Sequence, residues 1–280
     1  MQKANKILII VIGIIAIAVA GAYVTIHAVS GLDSPFSVIM SSSMQHDNYQ
    51  SQIGLIDTAD VMIIQDPSRT EIQSYVEATN TGYKTFGDYG SVIIYYRGDD
   101  VNPCIHRAII WLDYNGNGTW SAPSLQNYAG SWSCTESTDI RSLSGILKFY
   151  DITQSKKDVS IDLNKLDKQS GYLTMGDNPV TNLYFDQSAG IVSYPIGNDY
   201  IKAVAIGEIP WLGVIKVLFN DDKRVYLDRD INSTISLVMI FLIIFSAVYV
   251  CDVFILNKDL KKKKRDMAIL ERYDTSGKKE

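Results

Sequence analysis

The 280-residue chain is short of cysteine, proline and histidine, with three, seven and three of them. Three cysteines exclude a disulfide-stapled scaffold. Seven prolines and 19 glycines exclude a collagenous or proline-rich protein. An excess of basic charge is missing too. Lys and Arg number 26 against 31 Asp and Glu, a net charge of −5, so nucleic acid is not the expected partner. The chain is 46% hydrophobic and only 20% charged, which excludes a disordered polymer. No internal repeat or low-complexity tract is visible. The length allows one sizeable domain with accessories.

What the chain does have is two long runs without charge. The first, Ile7–Val29, reads ILIIVIGIIAIAVAGAYVTIHAV. The second starts at Ile231 and continues to Leu256 across Asp252. About 20 apolar residues in a helix cross the hydrocarbon core, so both are predicted spans, 7–29 and 231–256. The first is longer than the apolar core of a cleaved signal peptide. Neither shows the amphipathic stripe of a helix on a soluble core.

Lys and Arg near the spans predict the orientation. Lys3 and Lys6 flank the first span in a cytoplasmic N-terminus, 1–6. Lys258, Lys261, Lys262, Lys263, Lys264 and Arg265 follow the second in a basic cytoplasmic tail, 257–280. Residues 30–230 hold 15 Lys and Arg against 25 Asp and Glu, a net −10, and are expected to form an external domain. The expectation is a two-span cell-membrane protein with both termini inside, its basic run lying on anionic lipid. Outside the cytoplasm a Cys104–Cys134 disulfide and two free thiols are both open.

Short β-branched and aromatic runs dominate 30–230: 59–65, 91–97, 106–112, 145–150, 171–175, 203–206 and 211–218 are predicted strands. One helix is predicted over 67–78, with Ser68 as N-cap and Glu71 at capping-box spacing. The fold class is therefore a mainly β external domain between two transmembrane helices, with 113–170 as an insertion. Asp113-Tyr-Asn115-Gly-Asn117-Gly118 matches half of an EF-hand loop, but Ser124 stands at its twelfth position. A turn between strands is expected there, and no metal or cofactor is predicted.

Three blocks carry candidate chemistry. Ser37-Val-Ile-Met40-Ser41-Ser42-Ser43-Met44 follows the first span. Ile105-His106-Arg107 opens an apolar strand. Gly176-Asp177-Asn178-Pro179 precedes Asp186 by a few residues. A serine hydroxyl is a weak nucleophile and needs a neighbouring base. His106 is one candidate, and His46, three residues past Ser43, is its rival.

These blocks, taken with Gly54-Leu-Ile-Asp57-Thr-Ala-Asp60-Val61 and Gly207-Glu-Ile-Pro210-Trp211-Leu-Gly213, resemble in kind and order signal peptidase I of the archaeal and endoplasmic-reticulum branch. They cover about a third of the external segment. The resemblance implies a signal-peptidase-like β fold and serine endopeptidase activity on signal-peptide-bearing preproteins. It implies Ser43 as nucleophile, hydrogen-bonded to His106 as base, and Asp186 orienting that His with Asp177 supporting the loop. It also implies an oxyanion site from Ser41 and the Ser43 N–H, the roles such acyl transfer needs.

Two departures are plain: Gln45-His46 follows the Ser-Met pair, and nine residues separate the two aspartates. The substrate would add as a strand beside Val38, Ile39 and Met40, or beside the strand before Gly90. The bilayer and the protein-translocation channel are the further partners on this reading. Loops near Trp211 either touch lipid or belong to the core. A non-catalytic sensor or adhesin on two spans, and a peptidase maturing other surface proteins, are the alternatives.

Overall fold

The structure is a computed structural model that describes residues 3–47, 49–98, 103–218 and 231–276. Residues 219–230, assigned above to the end of the external segment, lie outside it, as do 1–2 and 277–280 of the two flanks. The chain divides into two units, 1–233 and 234–280. Both apolar runs are helical: α1 is Lys3–Ser30, and the last helix, α4, is Ile231–Ser276. Each is long and apolar enough to cross a bilayer. The last one runs through the lysine cluster without a break, so the expected boundary at 256 is compositional and not a helix end.

Between the helices the fold is mainly β. The strands are β1 (Phe36–Val38), β2 (Val61–Gln65), β3 (Lys84–Thr85), β4 (Asp88–Tyr89), β5 (Val92–Tyr95), β6 (Cys104–Tyr114), β7 (Trp120–Ser121), β8 (Ser131–Cys134), β9 (Ile146–Ile152), β10 (Lys157–Asp162), β11 (Gly171–Met175) and β12 (Ile201–Ile209). The main sheet is antiparallel with order β1-β2-β12-β5-β6-β11, and β7 adds to the far end of β6. β5 is buried at every residue because both faces of the sheet are covered. Val92 and Ile94 join Met44, Ile56 and Met62 on one face; Ile93 and Tyr95 join Ala108, Val204 and Ile196 on the other. That is the two-residue alternation of a strand.

The insertion is a second antiparallel sheet, β10-β9-β8. Its Leu147, Phe149, Val159 and Ile161 pack with Ile109, Leu173 and Phe185 in a separate core. The EF-hand-like stretch is the turn between β6 and β7, as expected. Cys104 and Cys134 are free thiols.

Two predicted elements are corrected. Pro67–Arg69 is only a 3-10 turn, and the true helix α2 is Tyr75–Thr81. Its capping box is Ser74 with Glu77, which shares the Ser-x-x-Glu spacing of Ser68 and Glu71 but is followed by the buried Tyr75, Val76 and Ala78. Trp211–Leu218 is not a strand: Trp211 turns at φ +61° into helix α3, Val214–Leu218. Val214 and Val217 are buried while Ile215 and Lys216 are exposed, a helical and not a strand period.

Candidate functional site

The site is built on β6. His106 and Arg107 are consecutive, so the pleat sends them to opposite faces of the sheet. Each face supplies its own carboxylate. His106 Nδ1 lies 2.7 Å from Asp186 Oδ2. Arg107 grips Asp177 with both ends of its fork, Nε donating to Oδ1 at 2.9 Å and Nη2 to Oδ2. Its Nη1 also donates to the carbonyls of Tyr89 and Gly90 at 3.1 and 2.8 Å. Asp177 thus serves Arg107, and Asp186 is the carboxylate on His106.

Asp186 is wholly buried and His106 is 2% exposed. The same Asp186 Oδ2 accepts from Tyr95 Oη at 2.7 Å and from Thr174 Oγ1 at 2.6 Å. Tyr95 comes from β5 and Thr174 from β11, the two neighbours of β6, so three adjacent strands converge on one oxygen. Burial works against charge on His106, but the Asp186 carboxylate outweighs it and holds the imidazole well above its ordinary pKa. Burial also opposes charge on Asp186, yet the same pairing and the donated bonds hold its pKa low. Burial, with the Asp186 charge, raises that of Tyr95.

Cys104 Sγ sits 3.5 Å from the same Nδ1. Among the described residues Nε2 of His106 makes no hydrogen bond. The nitrogen left for proton transfer is therefore Nε2, and Cys104 stands at the wrong end of the ring to be activated through it.

The serine loop is held from two sides. Met44 is fully buried and anchors it below. Asn178 clamps it above: its N–H donates to the Ser43 carbonyl at 3.0 Å and its side-chain amide to the Ser42 carbonyl at 2.7 Å. The approach is close enough that a Cβ on Gly176 would stand 2.5 Å from the Ser43 carbonyl oxygen. This is why glycine precedes Asp177-Asn178. Ser43 is half-buried, and its Oγ lies 3.2 Å from that of Ser41. Among the described residues no hydrogen bond joins Ser43 to His106, so the expected direct contact is not made. His46 Nε2 lies 3.9 Å from Asp177 Oδ2, on the Arg107 side.

Ser41, Ser43 and Cys104 line one groove of about 720 Å³, together with Phe36–Met40, Ile94, Arg97, Ile105 and Lys216. Val38, Ile39 and Met40 are thus on its wall. β1 is the edge strand of the main sheet, and its second edge pairs with nothing among the described residues. The strand before Gly90 belongs instead to the β3–β4 hairpin and does not line the groove. Trp211 is core: its N–H donates to Asp60 Oδ1 at 2.8 Å and its ring N–H to Ser51.

Tyr95, Thr174, Cys104 and Asn178 are the site residues that sequence reasoning missed. The first two are ordinary strand residues whose role appears only once the strands pair. Asn178 had a signal, its place in the Gly-Asp-Asn-Pro turn. No family model, no curated protein and no solved structure matches the chain.

Proposed function

We propose that the chain is a membrane-anchored serine endopeptidase that cleaves signal peptides from exported preproteins. The observation that carries it is the buried His106–Asp186 pair, whose Nε2 makes no hydrogen bond among the described residues, together with a clamped serine on a groove that Cys104, the neighbour of His106, also lines. His106 Nε2 would take the Ser43 hydroxyl proton, and Asp186 would hold the ring in the tautomer that accepts it. The Ser43 N–H and the Ser41 hydroxyl would donate to the oxyanion. The substrate would pair with the open edge of β1, its side chains entering the groove between Val38 and Met40. Two apolar helices support anchoring of that groove close to a bilayer, where the cleavage sites of signal peptides emerge. The lysine distribution supports the groove facing outward, with both ends of the chain in the cytoplasm.

One observation favours the second reading, a non-catalytic external domain: Ser43 Oγ bonds Ser41 and not His106. Ser43→Ala separates the two. Purified wild-type protein in detergent should cleave a signal-bearing precursor, and Ser43→Ala, with unchanged circular dichroism, should not. Equal cleavage by both, or none by the wild type, removes the peptidase reading.

A further inference from the structure

We propose that Cys104, His106 and Asp186 form a binding site for a thiophilic divalent cation of the zinc class, and that its occupation switches the site off. The three ligand atoms, Sγ, Nδ1 and a carboxylate oxygen, all lie within 4.8 Å of one another. Thiolate, imidazole and carboxylate are the donors zinc takes, with bonds of about 2.0–2.3 Å, which places neighbouring ligands roughly 3.3–3.8 Å apart. The 3.5 Å Sγ to Nδ1 spacing already fits. The 2.7 Å Nδ1 to Oδ2 spacing needs only to open by a fraction of that length once its shared proton is gone.

A separate observation points to a missing ligand. Asp186 Oδ1 is buried and has no hydrogen-bond partner among the described residues, while Oδ2 accepts three bonds. A buried carboxylate oxygen left without a donor is costly, and a cation held by both Asp186 oxygens would satisfy it. Entry is provided by the groove, since Cys104 is half-buried on its wall. The fourth position would be open to water, as in zinc sites with three protein ligands.

Binding moves protons in a defined way. The Cys104 thiol releases its proton to solvent. Nδ1 gives up its own, to solvent from an imidazolium or to Nε2 from a neutral ring. The metal-bound imidazole then carries its one proton on Nε2. That nitrogen becomes a donor and can no longer accept the Ser43 proton. The inhibitory consequence rests on the peptidase reading; the binding does not.

The test uses the full chain in detergent with cobalt(II) as a probe, since thiolate-to-cobalt charge transfer reports sulfur ligation directly. Wild type and Ser43→Ala should both show the band and lose it on adding zinc. Cys104→Ser should lack it. Cys104→Ala, read alongside, covers a folding failure of the serine variant. Loss of an outer-shell partner alone costs about 10–100-fold in metal affinity, so the zinc dose–response for cleavage should shift by at least about tenfold in the Cys104 variants. No thiolate band in wild type, or a band persisting in both Cys104 variants, overturns the site. Cleavage that is active but insensitive to saturating zinc overturns the switch. A wild type that binds cobalt through Cys104 yet never cleaves the precursor leaves the site standing and removes the peptidase reading.

Discussion

Asn178 holds the carbonyls of both Ser42 and Ser43, with its side chain at 2.7 Å and its backbone N–H at 3.0 Å. The residue is fully buried, and so is most of the loop it clamps. Asn178→Ala keeps the N–H but leaves the Ser42 carbonyl without its side-chain donor. That carbonyl still accepts from the Gln45 N–H at 3.1 Å, so the cost is that of one lost hydrogen bond, about 0.5–1.5 kcal/mol. The expected outcome is a stability loss of that size, seen as a lowered thermal midpoint, and, on the proposed mechanism, a larger loss in kcat than in stability. Unchanged kcat would show that the clamp does not position Ser43.

Activity should rise with pH. The proposed base must be neutral, and Asp186 holds His106 above the ordinary histidine value of about 6.5. The half-maximal point should therefore lie above that value. Asp186→Asn removes the charge that raises it, so the profile should move toward lower pH while its plateau falls, on the order of 10⁴-fold for comparable triads. His106→Ala should abolish cleavage and His46→Ala should spare it. A profile falling with pH, or equal losses in the two histidine variants, would contradict the assignment.

The Arg107–Asp177 pair is structural and fully buried. Removing one partner of such a pair costs about 3–5 kcal/mol, because the other charge is stranded. Arg107→Met should show that loss in chemical denaturation. The double variant Arg107→Met, Asp177→Asn should recover a good part of it. A single variant as stable as the wild type would mean the pair is not buried in solution.

Asp60 accepts from the N–H groups of Asp57 and Trp211 on its two oxygens. Burial, with the nearby Asp57 and Glu208 charges, pushes its pKa up to about 8. A carboxyl whose folded pKa lies above its unfolded one stabilises the fold at low pH and loses that contribution as pH rises through the folded value. The thermal midpoint of the wild type should thus decline from about pH 4 toward 8, using the unperturbed carboxyl value as the lower bound. In Asp60→Asn the decline should flatten, whatever the variant's absolute stability. Parallel curves would refute the shift.

The strands were legible where they are β-branched runs, as in VMIIQ of β2 and VIIY of β5. Burial on both faces makes β5 apolar throughout, whereas β2 fully buries only Met62 and Ile64. β8, Ser-Trp-Ser-Cys, offers no such run and exists because β9 pairs with it. β10 was readable in principle, since Val159 and Ile161 alternate with polar residues. The assignment of two aspartates to two partners could not be read from spacing. It depends on the pleat of β6, which separates His106 from Arg107. The position of Cys104 beside His106 was readable in principle, since residues two apart on a strand share a face. The distance from Ser43 to His106 depends on how the serine loop closes over the sheet edge, which no local pattern encodes.

The accessory sheet reaches the site as well. At the turn between β9 and β10, the N–H of Gln154 donates to Asp88 at 2.8 Å and that of Thr153 to the Tyr75 hydroxyl at 3.1 Å. Lys157 Nζ donates to the Asn178 carbonyl at 3.1 Å. A shortened chain lacking 131–162 would thus lose more than an ornament. The turn that fastens the serine loop would be left unbraced on its outer side, so the added three-stranded sheet belongs to the smallest unit able to keep that loop in shape.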